Sequence, residues 1–222
     1  MTAILKEIIP NLETQVNCPV CFGTNWQKEA QTGVVRRCLA PFHLDSKLLA
    51  QGVPARYQHC SFANYMPTNL TENQAKQIVQ KLAKTVSCTK AGLILTSDKP
   101  NGKTHLAISL IRALLLEGKI YPRFADTTEL LKQLEPVEGF FSKEQNYLLE
   151  NTCKASLLII DDLTSSYSES QKDNLEYIIN HRYRNILPIV ITTRLNEKEF
   201  SQAISPAISS RLYEMCSIVS LD

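Results

Sequence analysis

Gly92-Leu-Ile-Leu-Thr-Ser-Asp-Lys-Pro-Asn-Gly-Lys-Thr-His-Leu-Ala107 is a short apolar run, a polar turn and the opening of a helix. Gly92–Leu95 reads as a buried strand. Lys103–Glu117 reads as a helix with Leu106, Leu110, Ala113 and Leu114 on one face and Gly118 as its stop. A strand that runs through Gly102-Lys103-Thr104 into a helix builds an anion site, because the unpaired N–H groups of the first turn and the helix dipole both favour negative charge. Lys103 is expected to reach the outer phosphates of ATP, and the Thr104 hydroxyl to help hold Mg²⁺. Ser97, Pro100, Asn101, Gly102 and His105 complete the expected nucleotide-contacting set. The full phosphate-loop pattern G-x-x-x-x-G-K-T is not met, since its first glycine is Ser97 here.

Downstream, Leu157-Leu-Ile-Ile-Asp161-Asp162 is an apolar run ending in two carboxylates. A central strand delivers its last residues to the carboxyl edge of a parallel sheet, where ligands of open α/β sheets bind. Asp161 is expected to orient Mg²⁺ through its water shell, and Asp162 to polarise the attacking water. Around these motifs strands and helices alternate. Strands are expected at 121–125, 156–160, 187–192 and 218–221, and helices at 71–85 (capped by Thr71), 127–134, 168–184, 196–203 and 206–213. The alternation predicts an α/β fold with a five-stranded parallel sheet covered on both faces.

The front of the chain differs. Cys18, Cys21, Cys38 and His43 follow the spacing C-x2-C-x16-C-x4-H, a thiolate and imidazole set suited to tetrahedral Zn²⁺. Cys60 and His59 are rivals to His43 for the fourth position. Cys88, Cys153 and Cys216 sit at apolar positions and read as packing. The expected organisation is a zinc-binding module at 1–48, a linker and helix at 49–88, and an ATPase core at 89–222. Seven cysteines at uneven spacing suit a reducing, cytoplasmic setting better than an extracellular disulfide framework. No secretory or membrane-spanning pattern stands out. The net charge is +2. It divides into an excess of Lys and Arg before residue 90 and of Asp and Glu after it, which hints at nucleic acid near the front.

The motifs 102–107, 157–163, Ile191-Thr-Thr193 and Ile208-Ser-Ser-Arg-Leu-Tyr-Glu214, with the stretch Gly52–Phe62 ahead of them, resemble the helicase-loader and IstB transposition-ATPase branch of the AAA+ ATPases over roughly residues 50–222. That resemblance implies a nucleotide sandwiched between subunits of a helical or ring assembly, with Arg211 as the arginine finger entering the neighbouring site. It implies a replicative hexameric helicase and single-stranded DNA as partners. An IstB-type transposition ATPase and a non-hydrolysing adaptor are the alternatives. Loaders of this branch carry a comparable front zinc module. The departures are specific. Arg194 stands where the branch has a sensor asparagine, leaving two readings open: contact with phosphate, or loss of the sensing role. Ser97 and Pro100 stand where loaders usually have glycines. The expectation is therefore ATP binding with slow or undetectable hydrolysis.

Overall fold

A computed structural model describes residues 26–28, 33–37, 41–118, 120–136 and 139–222. They fall into two compact units, Met1–Lys47 and Leu48–Asp222. In the smaller unit, β1 (Trp26–Lys28) pairs antiparallel with β2 (Val35–Arg37). Helix α1 spans Pro41–Ala50.

The larger unit begins with a 3-10 turn at Ala55–Tyr57 and helix α2 (Leu70–Thr89). There follow β3 (Gly92–Thr96), α3 (Lys103–Glu117), β4 (Pro122–Asp126), α4 (Thr127–Gln133), α5 (Lys143–Lys154), β5 (Leu157–Leu163), α6 (Glu169–Arg184), β6 (Ile189–Thr193), α7 (Glu197–Ala203), α8 (Pro206–Met215) and β7 (Cys216–Ser220). The five strands β4-β5-β6-β3-β7 form one sheet, every neighbouring pair parallel. Residues of β5 and β6 are buried almost throughout, as strands covered on both faces must be. Helices α2 and α3 pack together, α3 also against β4, β5 and β6, and α2 against β7. Elsewhere, Leu175, Ile178 and Ile179 of α6 join Ile208 and Leu212 of α8 in a core with β5 and β6. Among the described residues no helix is long and apolar enough to cross a membrane.

Local chemistry explains the boundaries. Helix α2 starts one residue after Asn69, not at Thr71 as the sequence suggested. The Asn69 side chain accepts the Glu72 N–H at 2.7 Å, and the Thr71 hydroxyl turns back to the Asn69 side chain instead of capping. The buried Glu72 carboxylate accepts in return from the Thr68 N–H and hydroxyl. Helix α5, which hydrophobic periodicity misses, opens with a reciprocal Ser142/Gln145 capping box. Gly52 has φ +89, and a Cβ there would stand 2.5 Å from the Phe124 carbonyl oxygen. Only glycine lets the chain pass so close to β4, whose Phe124 N–H donates to the Gln51 carbonyl. Cys153 and Cys216 are buried as packing residues, whereas Cys88 is exposed near the end of α2.

Arg182 of α6 is fully buried. Its guanidinium donates to the carbonyls of Thr152 and Cys153 at the end of α5 and of Pro188 before β6. Burial pulls its pKa down to about 10. The negative end of the α5 dipole helps to hold the charge. Arg182→Ala strands three buried acceptors and leaves a cavity, so it should destabilise the protein by about 3–5 kcal/mol. A urea unfolding curve measures this; a loss under about 1 kcal/mol would show that the carbonyls find other donors.

Candidate functional site

The strand order fixes the site. The loop after β3 and the carboxylates ending β5 are not on adjacent strands; β6 lies between them and contributes Thr192, Thr193 and Arg194. At the carboxyl edge a cavity of about 480 Å³ is lined by Pro100–His105, Asp161, Asp162, Thr192 and Arg194, which brings the two motifs together. Thr104 Oγ1 lies 2.9 and 3.0 Å from the two Asp161 carboxylate oxygens. The Thr192 hydroxyl donates to Asp161 Oδ1 at 2.6 Å and accepts the Asp162 N–H at 2.8 Å. A register shift between Ile160 and Leu163 in the β5–β6 ladder interrupts the alternation at this point. It turns Asp161 inward, 6% exposed, and Asp162 outward, with φ +54. Burial pushes the Asp161 carboxyl up from its usual value, opposed by the hydrogen bonds from Thr192 and Thr104.

Lys103 is buried, and its ammonium donates to the carbonyls of Ser97 at 2.7 Å and Lys99 at 2.8 Å. Desolvation lowers its pKa, with Arg194 adding repulsion and Asp222, Asp162 and Asp98 opposing. Gly102 caps α3 with φ +85, and a Cβ there would lie 2.6 Å from the Tyr65 ring. Tyr65 donates its hydroxyl to the Asn101 carbonyl at 2.9 Å. The His105 ring leans on Tyr65, and its Nε2 lies 3.0 Å from both the Ser61 carbonyl and Asn64 Oδ1. With both neighbours acceptors, Nε2 carries the proton. Arg112 Nε donates to the Cys60 carbonyl at 2.9 Å. These bonds strap residues 58–65 onto α3.

That strap supplies a wall that motif reading did not assign: Pro54, Arg56, Tyr57, His59 and Cys60 all line the cavity. Its signal was the stretch Gly52–Phe62 ahead of the ATPase motifs. His59 and Cys60, the rival zinc ligands, therefore face the candidate nucleotide site. Burial pushes the Cys60 thiol up from its ordinary value. Ser97 is buried outside the set of lining residues, and its hydroxyl bonds to the Asp222 carboxylate at 2.6 Å. Asp162 and Arg194 form an ion pair at 3.7 Å, both side chains half or more exposed. Arg211 does not line the cavity of its own chain; it bonds to Asn180 and lies over the Tyr183 ring. Cys18, Cys21 and Cys38, and the side chain of His43, lie outside the described residues. Among the described residues no group of three or more His, Cys, Asp or Glu is placed to hold a metal ion.

The chemistry of the donors fits Mg²⁺ with a polyphosphate. Thr104 and Asp161 offer hard oxygens at one point, as Mg²⁺ requires. An ammonium and the amino-terminal turn of α3 stand beside them.

Known proteins are similar to this chain in sequence and fold. The chain is 24% identical over 193 residues to the protein named replicative helicase loader DnaC of Escherichia coli (strain K12), covering 84% of this chain and 78% of that one. The crystal structure of the DnaC helicase loader superposes with a TM-score of 0.69 at 25% identity, over 76% of this chain and all of that one. The crystal structure of DnaI superposes at 0.67 and 17% identity, over 75% and 93%, a likeness of fold. The sequence profile of the family described as IstB-like ATP binding protein matches residues 51–222, which take in the whole cavity, and the chain belongs to that family.

Proposed function

We propose that this protein loads a replicative hexameric helicase, using ATP binding to drive assembly of its AAA+ domain on single-stranded DNA. The observation that carries the reading is the junction of Lys103, Thr104 and Asp161 at the carboxyl edge of the sheet, in a chain similar to DnaC over most of both lengths. Lys103 holds the outer phosphates once its ammonium leaves the loop carbonyls. Thr104 and Asp161 hold Mg²⁺, which when bound neutralises charge on the phosphates. Asp162, held outward, orients the attacking water. Arg194 exchanges its bond to Asp162 for the terminal phosphate. Arg211, at the edge of its own domain, completes the site of the next subunit. An immobilised hexameric helicase should retain the native chain with ATP and Mg²⁺, and retain Lys103→Ala at least tenfold less. Capture by a transposase in place of the helicase would move the assignment to the IstB-type alternative.

Weak, salt-sensitive binding of single-stranded DNA belongs to the same reading, because phosphate contacts release counterions. Affinity that ignores salt would count against it.

Hydrolysis is expected to be slow. Pro100 has no N–H, and the Asn101 N–H donates within the loop to the Lys99 carbonyl at 2.9 Å. The loop thus lacks a preorganised donor where charge develops as the terminal phosphoryl leaves. Such a loss costs about 3 kcal/mol in the barrier. Pro100→Gly should raise ATP turnover tenfold or more with little change in affinity. Brisk native turnover that the substitution leaves alone would show that the proline is harmless.

The front cysteines are assigned to a zinc module that grips the helicase. Purified protein should carry about one equivalent of zinc, and Cys18→Ser should lose it while nucleotide binding by the larger unit survives. Metal analysis finding no zinc in unchelated protein would end this assignment.

A further inference from the structure

We propose that Leu221 and Asp222, which follow β7, clasp the phosphate loop shut, and that closure of this clasp and binding of a nucleoside triphosphate exclude one another. The proposal rests on the nucleotide reading above and goes beyond it by naming what opposes entry.

The clasp centres on Ser97. Its hydroxyl donates to Asp222 Oδ1 at 2.6 Å. It accepts from the Asn101 side-chain amide at 2.7 Å and from the Lys99 N–H at 3.1 Å. The Asn101 amide also donates to the Leu221 carbonyl at 3.0 Å, and the Leu221 N–H to the Thr96 carbonyl at 3.0 Å. The Ser97 hydrogen bond holds the Asp222 carboxyl below its ordinary value, so the acceptor is charged at neutral pH and the bond is charge-assisted. Glycine at position 97 would have no hydroxyl to offer. The departure from the usual loop pattern therefore adds a fastening point.

The closed loop is occupied with itself. The Lys99 and Asn101 N–H groups are spent on Ser97 Oγ and the Lys99 carbonyl, and Pro100 has none to give. Three consecutive positions thus direct no amide at a phosphate. The Lys103 ammonium is turned onto the Ser97 and Lys99 carbonyls. Asp98 and Asp222 add negative charge at the loop. A triphosphate must draw Lys103 away from these carbonyls and turn the amides outward. The backbone of Ser97 and Asn101 carries both the carbonyl and amide groups that must move and the side chains of the clasp. Opening the loop therefore breaks the bonds to Leu221 and Asp222.

The test is a titration of the native chain, Asp222→Ala, Asp222→Asn and Ser97→Ala with a non-hydrolysable ATP analogue and Mg²⁺. Hydrogen exchange of residues 218–222 is followed with and without the analogue. Asp222→Ala, which removes the charge-assisted bond of the closed state, and Ser97→Ala, which removes that bond and the two that the hydroxyl accepts, should each bind about three- to tenfold tighter. The double variant should gain no more than the larger single, since both lose the same bond. Asp222→Asn, which keeps an acceptor, should stay nearer the native value. The analogue should speed exchange at 218–222 in the native chain and hardly alter it in Asp222→Ala. Unchanged or weaker binding by a natively folded Asp222→Ala, or exchange at 218–222 indifferent to the analogue in the native chain, would overturn the clasp. Failure of the native chain and of every variant to bind the analogue would instead retire the nucleotide reading, and the clasp with it. Binding by the variants alone would support the clasp in its strongest form.

Discussion

Two buried charges of opposite sign sit at the same sheet edge, and the site depends on their being satisfied by neutral partners. Lys103 hydrogen-bonds to two backbone carbonyls, and Asp161 to the hydroxyls of Thr104 and Thr192. A direct ion pair would have been the simpler way to bury both. Solvating each with neutral dipoles keeps both charges open to a ligand that carries its own anion and cation. The arrangement needs β6 between β3 and β5, because Thr192 and the bulge opposite it are what turn Asp161 inward and Asp162 outward. The parallel order, the buried apolar strands and the capped α3 all serve that spacing.

Much of this was legible in the chain. The apolar runs before Ser97 and Asp161 mark central strands, and Gly102-Lys103-Thr104 between strand and helix marks an anion site, because these signals are local. The similarity to DnaC agrees with the helicase-loader resemblance carried by the motifs. What was not legible is mostly non-local. The partner of Ser97 lies 125 residues away at Asp222, and no spacing rule connects them. Strand order depends on which helices cover which face. The wall at 54–60 is held by Tyr65, His105 and Arg112, whose contacts join residues some 36 to 52 positions apart. Two misses were local. The Ser142/Gln145 box of α5 was present in the sequence but carried no strong hydrophobic period. Asn69 and Thr71 competed for one cap, and the side chain that reached the Glu72 N–H prevailed.

The exposed residues divide by role. Asp162 and Arg194 stand at the mouth, paired loosely enough for either to take another partner. Arg211 is held by Asn180 and Tyr183, and Tyr183 in turn by Glu214. A guanidinium so placed is held to a narrow range of orientations.

Asn101, which lines the cavity, is fastened on two sides. Its backbone carbonyl receives Tyr65 from the strap, and its side chain reaches Leu221 at the other end of the chain. A residue fastened on two sides makes the loop a shared term in two equilibria. By thermodynamic reciprocity, whatever the contents of the cavity do to the free energy of the last strand, a partner resting on that strand does to the contents of the cavity, by the same factor. Under the clasp proposed above, a protein that grips residues 218–222 would change nucleotide affinity without touching the nucleotide.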